Sequence, residues 1–179
     1  MWGPRDVIDV WNAAGAARWF TRDAAFDGQL SVRFKDLLAR GRAGHLYHWA
    51  VTPEGALSLV ILLDQMSRNI HRGSPLMFAA DGRALALAQQ SIARGDHFRF
   101  PAPQARWLYM PFEHAEDIDA QERCVGLFQA RGPAVNVPHA ITHRNIIARF
   151  GRFPHRNPTL GRKSTREELS YLAEGGFAG

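Results

Sequence analysis

Residues 56–63, ALSLVILL, followed at once by Asp64, Gln65, Arg68, Asn69 and Arg72, constrain this chain more than any other feature. On a helix, Leu57, Leu59, Val60, Ile61, Leu62 and Leu63 cover every side, so this helix needs neighbours all round it. Thr52 and Pro53 supply its N-cap and first helical residue, and the pattern predicts that it runs to about His71. A helix so enclosed cannot carry Asp64, Arg68 and Arg72 in its last turns without partners, because a buried charge needs a counter-charge. The steps of four place that carboxylate and both guanidinium groups on one face. Either the row is an ion pair that staples the helix end to its surroundings, or it forms one wall of a polar pocket that also includes Asn69.

The remainder is also patterned for helices, with Gly and Pro as punctuation and few strand signals. Val7, Ile8 and Trp11 give a first helix over 5–13. Phe26, Leu30, Phe34, Leu37 and Leu38 give a second over 24–40, stopped by Gly41. Ser74 and Pro75 repeat a start signal, and further helices are expected at 84–93, 104–110, 117–130 and 138–150. The last covers 166–173 behind a capping box of Thr165 and Glu168. The expectation is an all-α fold, seven or eight antiparallel helices in a compact array spanning 1–179 as a single domain.

Charge is distributed unevenly. From Arg123 to Arg166 there are nine Lys or Arg and no Asp or Glu, whereas the rest of the chain has thirteen basic and seventeen acidic residues. The surplus centres on RFGRFPHRNPTLGRKST, where Arg149, Arg152, Arg156, Asn157 and Arg162 are candidates to hold a carboxylate or phosphate through forked hydrogen bonds. Just upstream, PFEHAEDIDAQE brings carboxylates around His114. Asp117 and Asp119 suit a helix start, while Glu113, His114 and Glu116 lie in a turn where they can meet the basic segment. If they do, part of the arginine array is neutralised internally.

Several chemistries lack their signatures. His139 and His143 are four apart on the helix HAITHRNIIARF, but no HExxH or Cys pair accompanies them and no spaced third ligand beyond Glu113, Glu116 or His155, so no metal is expected and His143 is kept as a binding candidate. Cys124 has no neighbouring base, Ser67 lacks a GxSxG elbow, and Gly151 and Gly161 are too far apart for a phosphate loop. No cofactor is implied. A lone cysteine and the absence of a signal-peptide pattern predict a cytoplasmic protein, and the longest apolar run is too short to cross a membrane.

The words LLDQMSRNIHRG, YMPFEHAED and HRNIIARFGRFPHRNPTLGRKSTREELSYL together resemble the domain of unknown function 924 family, across essentially the whole length. The resemblance implies an all-helical fold similar to tetratricopeptide-like arrays, although no 34-residue repeat consensus is legible. Members commonly look like LDQFPRN and EHSE; this chain has Met66-Ser67 and Ala115 instead, which removes a proline and a hydroxyl beside the candidate site. The resemblance implies no activity.

These residues leave three function classes. A binding or interaction module would use the arginines for a small anionic ligand or a protein partner, and needs no catalytic group. An enzyme acting on a small anionic substrate would use His114 or His155 as general acid or base, with Asp64 or Glu116 orienting it. RNA binding is suggested by arginines interleaved with Phe150 and Phe153, but two lysines and a net acidic remainder point away from nucleic acid.

Overall fold

Side-chain caps set where the helices begin. In the computed structural model, which describes residues 2–179, the Asp23 carboxylate accepts from the backbone N–H of Ala25 and Phe26. Thr52 accepts from Gly55 and Asp117 from Ala120. Thr165 and Glu168 exchange hydrogen bonds in a reciprocal box. Each satisfies donors that the first turn leaves unpaired.

The main helices are α1 (Pro4–Ala14), α2 (Ala24–Arg42), α3, α4 (Asp81–Ala93), α5 (Ile118–Arg131), α6 (Val137–Phe150) and α7 (Arg166–Ala173), of which α2, α3, α5 and α7 carry these side-chain caps. Helix α3 is continuous over 53–70 but changes pitch: Pro53–Val60 is α-helical, Ile61–Met66 is a π-helical turn, and Ser67–Ile70 is α-helical again. Short helical turns fill the connections, and no strand occurs among the described residues.

Helix α3 is the axis of the fold, touching α1, α2 and α4. Every residue from Ala56 to Asp64 is completely buried, as the all-round apolar pattern requires. At roughly 1.5–3 kcal/mol for each fully buried Leu, Ile or Val, this helix alone supplies a large share of the hydrophobic drive. Gly55 lets the 47–51 turn close on it, since a Cβ there would lie 1.9 Å from the Trp49 carbonyl oxygen. A smaller apolar cluster of Ile146, Ile147 and Phe153, covered by Phe150, Tyr171 and Phe177, joins α6 and α7 to the basic segment.

Two local expectations change. Gly41 does not stop α2, which runs to Arg42. Its hydrogen faces Leu63, Leu59 and Leu62 of α3, where a Cβ would come within 3.3 Å of Leu63, so the glycine serves close helix packing. The helix expected at 104–110 is instead a series of short turns, Ala102–Ala105, Arg106–Leu108 and Met110–Glu113. Pro103 and Pro111 sit at the starts of two of these, where a missing N–H is tolerated, and each interrupts a longer ladder.

Candidate functional site

The π-helical turn carries Asp64 into a fully buried position, a local geometry often associated with functional sites. Its carboxylate accepts from Nε2 of Gln65 at 2.6 Å and meets Nδ1 of His114 at 2.8 and 3.0 Å. Arg68, one turn on, approaches it at 3.2 Å and donates to the Asp64 carbonyl at 2.6 Å. Burial raises the cost of the carboxylate, but Arg68 and His114 outweigh it and hold Asp64 ionised below the usual range. An ionised carboxylate only accepts, so Nδ1 of His114 carries the hydrogen. Burial and Arg68 lower the His114 pKa against the pull of Asp64. The imidazole is therefore neutral near pH 7, with a lone pair on Nε2.

Arg68 continues the network to Asp81 at the start of α4, through two parallel hydrogen bonds of 3.1 and 3.0 Å. Asp81 is shared: Nη1 of Arg156 stands 3.6 Å from it. The Arg156 guanidinium lies over Phe153 at 4.3 Å and Phe78 at 4.7 Å, and its Nε is buried without a partner. Burial and the neighbouring Arg68 pull its pKa down to about 10.

Phe153 gathers the remaining groups. Its ring meets His143 at 5.5 Å and His155 at 5.6 Å, and Phe177 packs edge-on against both histidines. His143 donates its Nδ1–H to the His139 carbonyl at 2.9 Å and lies 3.7 Å from Glu113. Burial lowers His143 to about 3 and His155 to about 4, and raises Glu113, beside Asp64, to about 8. Glu113 is thus a neutral acid near pH 7. Its Oε2 and the Nδ1 of His155 are buried without partners.

The other arginines are engaged. Arg162 grips Glu116 through two hydrogen bonds of 2.6 and 2.9 Å, while Glu116 also accepts from the Phe153 N–H. Arg152 and Asn157 hold Glu168, with Arg152 at 2.6 and 2.8 Å, and this pairing lowers Glu168 to about 2. Arg149 meets Glu167 at 2.9 Å on the surface. Asn69 and Arg72 turn away from Asp64 and bind Asp27 on α2. The structure therefore gathers Asp64, Arg68, Glu113, His114, His143, His155 and Arg156, with Arg162 and Glu116 at their border. It separates Asn69, Arg72, Arg149 and Arg152 from them, while Asn157 accepts from Nε of Arg162 at 2.9 Å on that border.

The sequence pattern of DUF924, described as bacterial protein of unknown function, matches residues 7–176. The chain belongs to this family. A solved structure of a protein of unknown function, ATU0120 from Agrobacterium tumefaciens, superposes with a TM-score of 0.91 at 42% identity, covering 96% of this chain and 97% of that one. No curated protein matches.

In this DUF924 protein, Ser67 accepts a hydrogen bond from Arg42 at 2.8 Å, so it is tied into the α2–α3 contact. Among the described residues no group of three His, Cys, Asp or Glu side chains is arranged to hold a metal, and no helix is long and apolar enough to cross a membrane. Cys124 is buried and its thiol pKa is raised by burial and by Glu113, which keeps it protonated. Sequence reasoning passed over Asp81, Phe78 and Phe177, and noted Gln65 without placing it among the site candidates. Gln65 had a visible signal, an amide beside the aspartate of a buried helix. The other three come together only through long-range packing.

Proposed function

We propose that this protein binds a small anion, a carboxylate or phosphate, at the cluster around Arg156. The observation that carries the reading is the condition of Arg156. It is a buried cation whose nearest carboxylate, Asp81, stands 3.6 Å away and is already taken by Arg68. Its Nε, like the Nδ1 of His155, is buried with no acceptor. Buried polar atoms without partners are uncommon and costly, and a bound anion would supply the missing acceptor.

A thermal-shift screen against dicarboxylates, inorganic phosphate and phosphorylated metabolites tests this. A ligand at a hundredfold its dissociation constant adds about 2.7 kcal/mol. Arg156→Met keeps an apolar stem on Phe153 and Phe78 while removing an incompletely paired charge, so its melting point should equal or exceed that of the wild type. The ligand-induced shift should disappear. Arg152→Ala should do the opposite: it breaks the grip on Glu168, lowers the melting point and leaves the shift intact. A shift that survives Arg156→Met sinks the proposal.

A second reading, acid–base catalysis on the bound anion, is favoured by His114. Its Nδ1 is oriented by Asp64 and its Nε2 lone pair has no partner among the described residues, the arrangement a general base requires. Any ligand from the screen, incubated with the protein and followed by proton NMR, should be converted by the wild type and not by His114→Ala. An unchanged spectrum with the wild type leaves binding alone.

A further inference from the structure

Arg106 lies outside this cluster, on the short turn that leads into the segment of His114. It is buried, it has no carboxylate within ion-pair distance among the described residues, and burial is what lowers its pKa. Its Nε is buried without a partner among the described residues, and no hydrogen bond engages its terminal nitrogens among them either. Two tryptophans hold the guanidinium, Trp19 at 4.6 Å and Trp107 at 4.5 Å from the ring centroids. Those rings meet edge to face at 5.0 Å, and Trp19 is fixed by donating its Nε1–H to the Trp11 carbonyl at 2.7 Å. Beside them stands Phe20, which is 58% exposed and 6.1 Å from Trp107.

We infer that Arg106, Trp19, Phe20 and Trp107 form a second binding site, for a monocarboxylate that carries an apolar body. A positive charge stripped of water on its stem side, against low-dielectric rings, attracts an anion more strongly than a solvated surface arginine does. The two terminal nitrogens present parallel donors that match the two oxygens of a carboxylate. The adjacent exposed ring of Phe20 offers the apolar body a surface. A doubly charged phosphate fits less well: one guanidinium neutralises half its charge, and its remaining oxygens would lose water against Phe20. The aromatic faces explain why the arginine tolerates burial. They do not supply the acceptor its terminal nitrogens lack.

Tryptophan fluorescence of the full chain, titrated with cyclohexanecarboxylate, is the direct test, because both rings at the site report on it. The wild type should show a saturable change with a dissociation constant of roughly a millimolar. Arg106→Met should weaken it at least about tenfold, and Phe20→Ala several-fold, because charge and apolar surface each contribute. Arg156→Met should leave it unchanged, which separates this site from the cluster, and the neutral analogue cyclohexylmethanol should give no saturable change. Absence of saturation in the wild type, equal affinity in Arg106→Met, or loss in Arg156→Met alone overturns the inference. If Arg106→Met fails to fold, Phe20→Ala decides: this ring is exposed, and wild-type affinity without it overturns the inference as well.

Discussion

Asp64→Ala should lower the stability of this protein by about 3 kcal/mol, a drop in melting temperature of roughly 6–12 °C for a domain of this size. The carboxylate is completely buried, and three groups depend on it: Arg68, the Nδ1–H of His114 and the Nε2 amide of Gln65. Removing it leaves the His114 and Gln65 donors in a dry site without acceptors, takes one of two carboxylates from Arg68 and opens a cavity in the π-helical turn. Arg68 retains both hydrogen bonds to Asp81, which keeps the loss at the lower end of the range for a broken buried pair. Asp64→Asn preserves the volume and should fall between the two. Because the native carboxyl pKa lies below its ordinary value of 3.8, its stabilisation is complete above that value and fades as pH falls through the native one. The gap between wild type and Asp64→Asn should therefore narrow in strong acid. Calorimetric melts across pH measure both effects, and a melting point within about 2 °C of the wild type would show that this network contributes little.

The parts of the fold that were legible in the sequence are those governed by local physics. The unbroken apolar face of 56–63 announced a surrounded helix, and Thr52, Thr165 and Glu168 announced helix starts that the hydrogen bonds reproduce. The π-helical turn was not legible, because nothing in ILLDQM differs in propensity from ordinary helix; the turn brings Asp64 within reach of His114, fifty residues away. Likewise, residues 149–162 read as one array of cations. Three of those arginines instead meet Glu116, Glu167 and Glu168, two of them glutamates of the helix that follows. Arg156 differs only in where packing leaves it, between Phe78 and Phe153 with Asp81 shared. A one-dimensional charge count records how many cations a segment holds, whereas which of them lacks a partner depends on contacts made across the whole fold.

Glu113→Gln should make this protein more resistant to alkali than the wild type. Glu113 is buried, and burial together with the Asp64 charge raises its carboxyl from 4.5 to about 8. A group whose native pKa is raised holds its proton better when folded. Its favourable contribution is therefore full below 4.5 and is lost as pH climbs toward 8, where the unfolded chain is ionised and the native site resists ionisation. Glutamine has no proton to lose, so the variant lacks this slope. Near pH 5 the two proteins should melt alike, and near pH 9 the variant should be more stable by a few kcal/mol. His143 and His155 act in the opposite direction. Their native pKa values, about 3 and about 4, remove stability as pH falls below 6.5, but they do so in both proteins and cancel in the difference. Melting points of wild type and variant from about pH 4.5 to 9 give that difference directly; a curve flat across the range would mean that Glu113 ionises as an ordinary carboxyl. A rising curve would establish a neutral acid next to the Asp64–His114 pair, so that the cluster holds a proton donor beside the Nε2 lone pair of His114 at neutral pH, as a site that moves a proton onto or off a bound anion requires.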